Sequence, residues 1–66
     1  MKRQRVLING IGHYDKDAAW YRENAETLVD RRPATTVTLQ EEIGSGLSGE
    51  WETISEIRGE SAHGAE

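Results

Sequence analysis

A small α+β domain, with one helix against a short antiparallel or mixed β-sheet in the order β-α-β-β, is the fold this sequence predicts. Three observations carry it. Residues 16–31 place apolar side chains at helical spacing, residues 35–43 alternate with a period of two, and residues 4–8 form a brief aliphatic run that stops at Asn9-Gly10.

In chain order, Gln4-Arg-Val-Leu-Ile8 reads as a strand, because aliphatic and β-branched residues follow a charged lead and end at a strong turn signal. Val6 and Ile8 would face one side and Leu7 the other. A strand apolar on both faces belongs in the middle of a sheet or under a partner. Residues 9–15 then read as a loop, where two glycines permit unusual backbone angles.

The helix follows. Asp15 or Asp17 is placed to accept a hydrogen bond from the orphan amides of its first turn. Ala18, Tyr21, Ala25 and Leu28, spaced three, four and three apart, share one face with Val29 beside them. Trp20 lies off this stripe, either widening it or standing exposed. Arg31 and Arg32 suit the negative end of the helix dipole, and Pro33, lacking an amide hydrogen, stops the helix.

In residues 35–43, Val37 and Leu39 alternate with Thr36, Thr38 and Gln40, the pattern of a half-buried strand. Residues 44–49 form a glycine-rich tip. Residues 50–58 are ambiguous: Trp51, Thr53, Ser55 and Ile57 alternate as in a strand, while Trp51, Ile54 and Ile57 recur every third residue as on a helix, with Gly59 available as its cap. A strand paired with 35–43 is the favoured reading. We therefore expect one domain over residues 1–59 and a loose polar tail at 60–66.

Composition limits what such a domain does. Apolar residues make up 35% of the 66, six of them alanine, and phenylalanine is absent. A core this small supplies roughly 3–5 kcal/mol at most without a staple. The chain has no cysteine, so a disulfide or a thiolate zinc site cannot be that staple. A partner surface or self-association is then the expected supplement. No apolar run reaches the roughly 18–20 residues that cross a bilayer. The basic start Met1–Arg5 precedes only Val6-Leu7-Ile8, too short for the apolar region of a signal peptide. The cytoplasm of a host cell, or the interior of a virion, is the expected location, with no membrane involved.

The net charge of −4 is unevenly spread: residues 1–33 carry +2 and residues 34–66 carry −6. This argues against a nucleic-acid partner, which needs a basic stripe to neutralise phosphates. Gly10-Ile-Gly12 between a strand and a helix is the start of a phosphate-cradling loop, but the third glycine falls on Asp15, which would repel a pyrophosphate. His13, Asp15 and Asp17 are too few and wrongly spaced for an oxygen-rich cation loop, and read better as a helix start. Ser45, Ser48, Ser55 and Ser61 lie in a tip, an ambiguous segment and a tail, so no nucleophile, base and orienting group assemble. No enzymatic activity, cofactor or metal is expected.

The stretch Thr36-Val-Thr-Leu-Gln40, a glycine-rich tip, and Gly49-Glu-Trp-Glu-Thr-Ile54 resembles the opening hairpin of small head-closure and head–tail connector proteins of tailed phages. With the preceding helix the resemblance spans residues 17–58. Those proteins are longer and continue into further strands, and the strand at 4–8 falls outside their pattern. The resemblance implies a β-rich subunit assembled in a ring at the phage neck. Val37, Leu39, Trp51 and Ile54 would pack, and the tip would touch the next subunit or the portal.

The expected function is a non-enzymatic protein–protein interaction module in phage virion assembly, binding copies of itself or other assembly proteins. The alternative is a small acidic inhibitor of a host enzyme or defence complex, of anti-restriction or anti-CRISPR type. Trp20, Leu47, Trp51 and Ile57 are the candidate apolar contacts, since tryptophan is enriched in binding hot spots. Glu42, Glu50 and Glu52 are the candidate acidic ones. For Trp51 a place in the core is the competing reading.

Overall fold

The computed structural model describes residues 2–44 and 49–61. The tip residue Leu47 and the end of the tail, 62–66, lie outside them. The elements are β1 (Gln4–Ile8), β2 (Ile11–His13), α1 (Ala18–Arg31), β3 (Thr36–Glu42) and β4 (Trp51–Arg58). The strands form one antiparallel sheet in the order β2-β1-β3-β4, with α1 on one face. The α+β class is as expected, the described residues hold one helix, and of the ambiguous segment 50–58 the part Trp51–Arg58 is a strand.

One element differs from the expectation. Residues 9–15 are not all loop, because Ile11–His13 turn back and pair with β1. Asn9 and Gly10 both take positive φ, 52° and 83°, between the paired residues Ile8 and Ile11. Two such residues make the tight hairpin turn whose twist matches the strands on either side. Asn9 does a second job: its Oδ1 accepts from the Thr36 amide at 3.0 Å, and its own amide donates to the Thr36 carbonyl at 2.9 Å. The β1–β2 turn is thereby tied to the start of β3. Gly10-Ile-Gly12 thus serves a hairpin and does not open the helix.

The helix begins where Asp17, in extended backbone, accepts from the Trp20 amide at 3.1 Å. A second orphan amide, that of Ala18, donates to Gln4 Oε1 of β1 at 3.1 Å, which fastens the helix start to the sheet. At the other end the Arg32 amide bonds to the Leu28 carbonyl before Pro33 stops the helix. The face of Ala25 and Val29 rests on Val6, Val37 and Leu39, and these five are the buried apolar core of the described residues. Ile8, Ala18, Tyr21, Leu28 and Ile57 flank it, as does Trp20, which widens the apolar stripe. β1 is a central strand, as its two apolar faces require.

β4 carries an irregularity. Leu39 faces Ser55, but the next residue of β3, Gln40, faces Thr53, so Ile54 is an extra residue with no partner opposite. Such a bulge reverses which side chains point to which face beyond it. Ser55 and Ile57 therefore lie on the helix side with Leu39 and Val37, while Thr53 and Trp51 lie on the other side with Gln40 and Glu42. The unbroken alternation Trp51, Thr53, Ser55, Ile57 in the sequence is divided between two faces. Ile54, expected to pack, is half exposed at the bulge.

Candidate functional site

No described element covers the second face of the sheet. A bare face is ordinary for an antiparallel sheet, but such a face is usually polar. Here it carries an aromatic and arginine cluster. Val6 and Leu39 point to the helix, so their neighbours Arg5 and Gln40, paired across β1 and β3, point away from it. Gln40 is in turn paired with Thr53 on β4. Tyr14, just past β2, completes a row of side chains across all four strands: Tyr14, Arg5, Gln40, Thr53.

Arg5 is the centre of the row. Its Nε donates to Gln40 Oε1 at 2.8 Å and its Nη1 donates to the Tyr14 hydroxyl at 2.7 Å. Gln40 Nε2 continues the chain to Thr53 Oγ1 at 3.1 Å. The guanidinium carbon lies 4.3 Å from the Trp51 ring centre and 5.6 Å from that of Tyr14. The two rings meet edge to face at 5.9 Å. Each geometry is favourable: cation over ring face, and ring edge to ring face. Tyr14 itself is 62% exposed, although its ring edge lies over the bare backbone of Gly12, where an added Cβ would come within 3.2 Å of it.

The charges on this face are nearly balanced. Arg3 Nε pairs with Glu42 at 3.5 Å, and Arg58 Nε with Glu56 at 3.3 Å, while Thr38 Oγ1 also donates to Glu56 at 3.2 Å. No carboxylate of a described residue lies within ion-pair distance of Arg5, whose hydrogen-bond partners are both neutral oxygens.

The residues singled out from the sequence do not gather in one place. Trp51 joins the Arg5 cluster, half-buried. Trp20 packs on the core from the helix, with Lys16 Nζ 5.1 Å from its ring centre, and Ile57 packs on the core opposite Val37. Glu42 is buried and held by Arg3, so little of it is offered to a partner. Glu52 is exposed and faces Glu41 across the ladder, and Glu50 is exposed with its carbonyl accepting from the Ile43 amide. Leu47 lies outside the described residues. Of the three residues weighed as cation ligands, His13 sits opposite Val6, Asp15 pairs with Lys16 at 3.5 Å, and Asp17 caps the helix.

Sequence reasoning missed Arg5, Tyr14 and Gln40. Arg5 reads in the sequence as part of a basic lead, and nothing local to it points to Trp51. Among the described residues, pockets lie at both ends of the helix. One of about 310 Å³ at the helix start is lined by Arg3, Gln4, Tyr14 and Asp15–Asp17, a mixture of both signs of charge. The other, about 210 Å³, lies between the helix end and the end of β4. Among the described residues no group of histidine and carboxylate side chains is placed to hold a metal, and no helix is long and apolar enough to cross a membrane. No protein-family model, curated protein or solved structure matches the chain.

Proposed function

We propose that this chain is a non-enzymatic protein–protein interaction module that docks through the helix-free face of its sheet. The observation that carries this reading is the assembled cluster of Arg5, Tyr14 and Trp51 on that face. Arginine, tyrosine and tryptophan dominate binding hot spots, because they combine large contact area with directed polar groups. Hydrogen bonds restrain Arg5 and Tyr14, and ring contacts hold Trp51 against them, so docking forfeits less of their rotamer freedom. The small core, five buried apolar residues among those described, adds a reason for the face to gain from a partner.

The proposed setting is a subunit of a tailed-phage particle, and its support is the resemblance of residues 17–58 together with the β3–β4 hairpin that the resemblance requires. The inhibitor reading relied on a concentrated acidic field. Glu42 and Glu56 are engaged within the chain by Arg3 and Arg58, which reduces that field.

The test compares three forms of the full chain: wild type, a Tyr14→Ser/Trp51→Ser variant, and an Arg22→Ala control on the exposed side of the helix. Circular dichroism establishes that each is folded. Sedimentation velocity reads self-association, and affinity capture from the cells that express the chain reads other partners. Association that is retained by the helix control and lost by the face variant supports the proposal. Equal association by a folded face variant refutes it.

A further inference from the structure

Resting on that docking face, we infer that its partner delivers a carboxylate side chain, aspartate or glutamate, to the Arg5 guanidinium. Charge complementarity is the argument. On the helix-free face Arg3 and Arg58 are each matched by a carboxylate of this chain, whereas no carboxylate among the described residues pairs with Arg5. Its Nε and one hydrogen of Nη1 are used by Gln40 and Tyr14, and no described residue accepts from Nη2. The remaining donors, one hydrogen of Nη1 and both of Nη2, belong to a planar guanidinium, the group best suited to pair with a carboxylate. The Trp51 ring centre lies 4.3 Å from the guanidinium carbon, and apolar surface that close lowers the local polarity, which strengthens an ion pair formed there.

The same observations disfavour a nucleic-acid occupant. One unmatched cation serves one anionic group, whereas a phosphate backbone brings a line of them. Glu42 and Glu56 lie on either side of Arg5 on the same face, and the whole chain carries −4. A protein segment with an isolated acidic residue among neutral ones fits this pattern of charge.

The test is an NMR titration of the isotope-labelled full chain, reading the Arg5 Nε–H and Trp51 indole N–H signals. The probes are N-acetyl-glutamate methylamide, its glutamine counterpart, N-acetyl-alanine and a ten-residue thymidine oligonucleotide. The glutamate probe is expected to shift both signals saturably, half-saturating on the order of 10 mM, as suits one charge-assisted contact. The glutamine probe should leave them in place, and an Arg5→Lys variant should bind the glutamate probe roughly tenfold more weakly, because an ammonium lacks the fork. Equal shifts from the glutamine probe would overturn the carboxylate inference while leaving the docking face intact. Tighter binding of N-acetyl-alanine would overturn the side-chain source, and tighter binding of the oligonucleotide would overturn both the inference and the protein partner. Silence of both signals with every probe also overturns it. That last result is distinct from failure of the docking face, which the capture experiment reads independently.

Discussion

Replacing Gly59 by alanine sets two effects of opposite sign against each other. Gly59 does not occupy the left-handed region, so alanine adopts its backbone angles without strain. By itself this would stabilise the fold by about 0.4–1 kcal/mol, because alanine has less freedom to lose from the unfolded chain. The steric effect runs the other way. A Cβ at residue 59 would lie 2.3 Å from the Pro33 carbonyl oxygen and 2.6 Å from its carbon, both backbone atoms that no rotamer change can move. Relieving the overlap parts the segment after α1 from the end of β4. Two backbone hydrogen bonds hold them together, Gly59 amide to Thr35 carbonyl at 2.9 Å and Ser61 amide to Pro33 carbonyl at 2.8 Å. Each contributes about 0.5–1.5 kcal/mol. The net expectation is a loss of about 1–2 kcal/mol once the entropic gain is subtracted. A domain of this size has roughly 3–10 kcal/mol in all. Urea unfolding followed by tryptophan fluorescence should show the midpoint falling by about 1–2 M, taking a slope near 1 kcal/mol/M. Gly10→Ala is the control: nothing lies within 4 Å of its Cβ, so its cost is that of φ +83° alone, about 1–2 kcal/mol. A Gly59→Ala midpoint at or above wild type would show that the close approach to Pro33 does not constrain the fold.

Three further outcomes are expected. Asn9→Gly keeps the turn but loses the bond to the Thr36 amide, costing about 1 kcal/mol, whereas Asn9→Ala also strains the backbone and costs roughly 2; the ranking is read from thermal melts. Glu52→Lys replaces a like-charge pair across from Glu41 with an opposite one, and should stabilise by about 0.2–1 kcal/mol at low salt, an effect that shrinks when salt is added. A double-mutant cycle of Arg5→Ala and Trp51→Ala should give a coupling of about 0.5–1 kcal/mol; additivity of the two changes would mean that the stacking contributes nothing to the fold.

Local chemistry determined much of this protein from its sequence. The helix is legible because its apolar stripe, the Asp17 cap and the Pro33 stop all act within a few residues of one another. β3 is legible because threonine and aliphatic residues alternate over a half-buried pleat, and Asn9-Gly10 announces a turn by the positive φ that both tolerate. Three residues, Ile11-Gly12-His13, are too few to show an alternation, and they become a strand only because β1 offers a ladder beside them. The bulge at Ile54 is likewise a property of the β3–β4 pairing, invisible in a strand read alone. Strand order and that one extra residue bring Arg5, Tyr14 and Trp51 together, from β1, the segment after β2 and β4. Lateral order in a sheet is set by which faces must be buried under the helix. It depends on contacts between residues far apart in sequence, so the fold class was written locally and the make-up of the helix-free face was decided by packing.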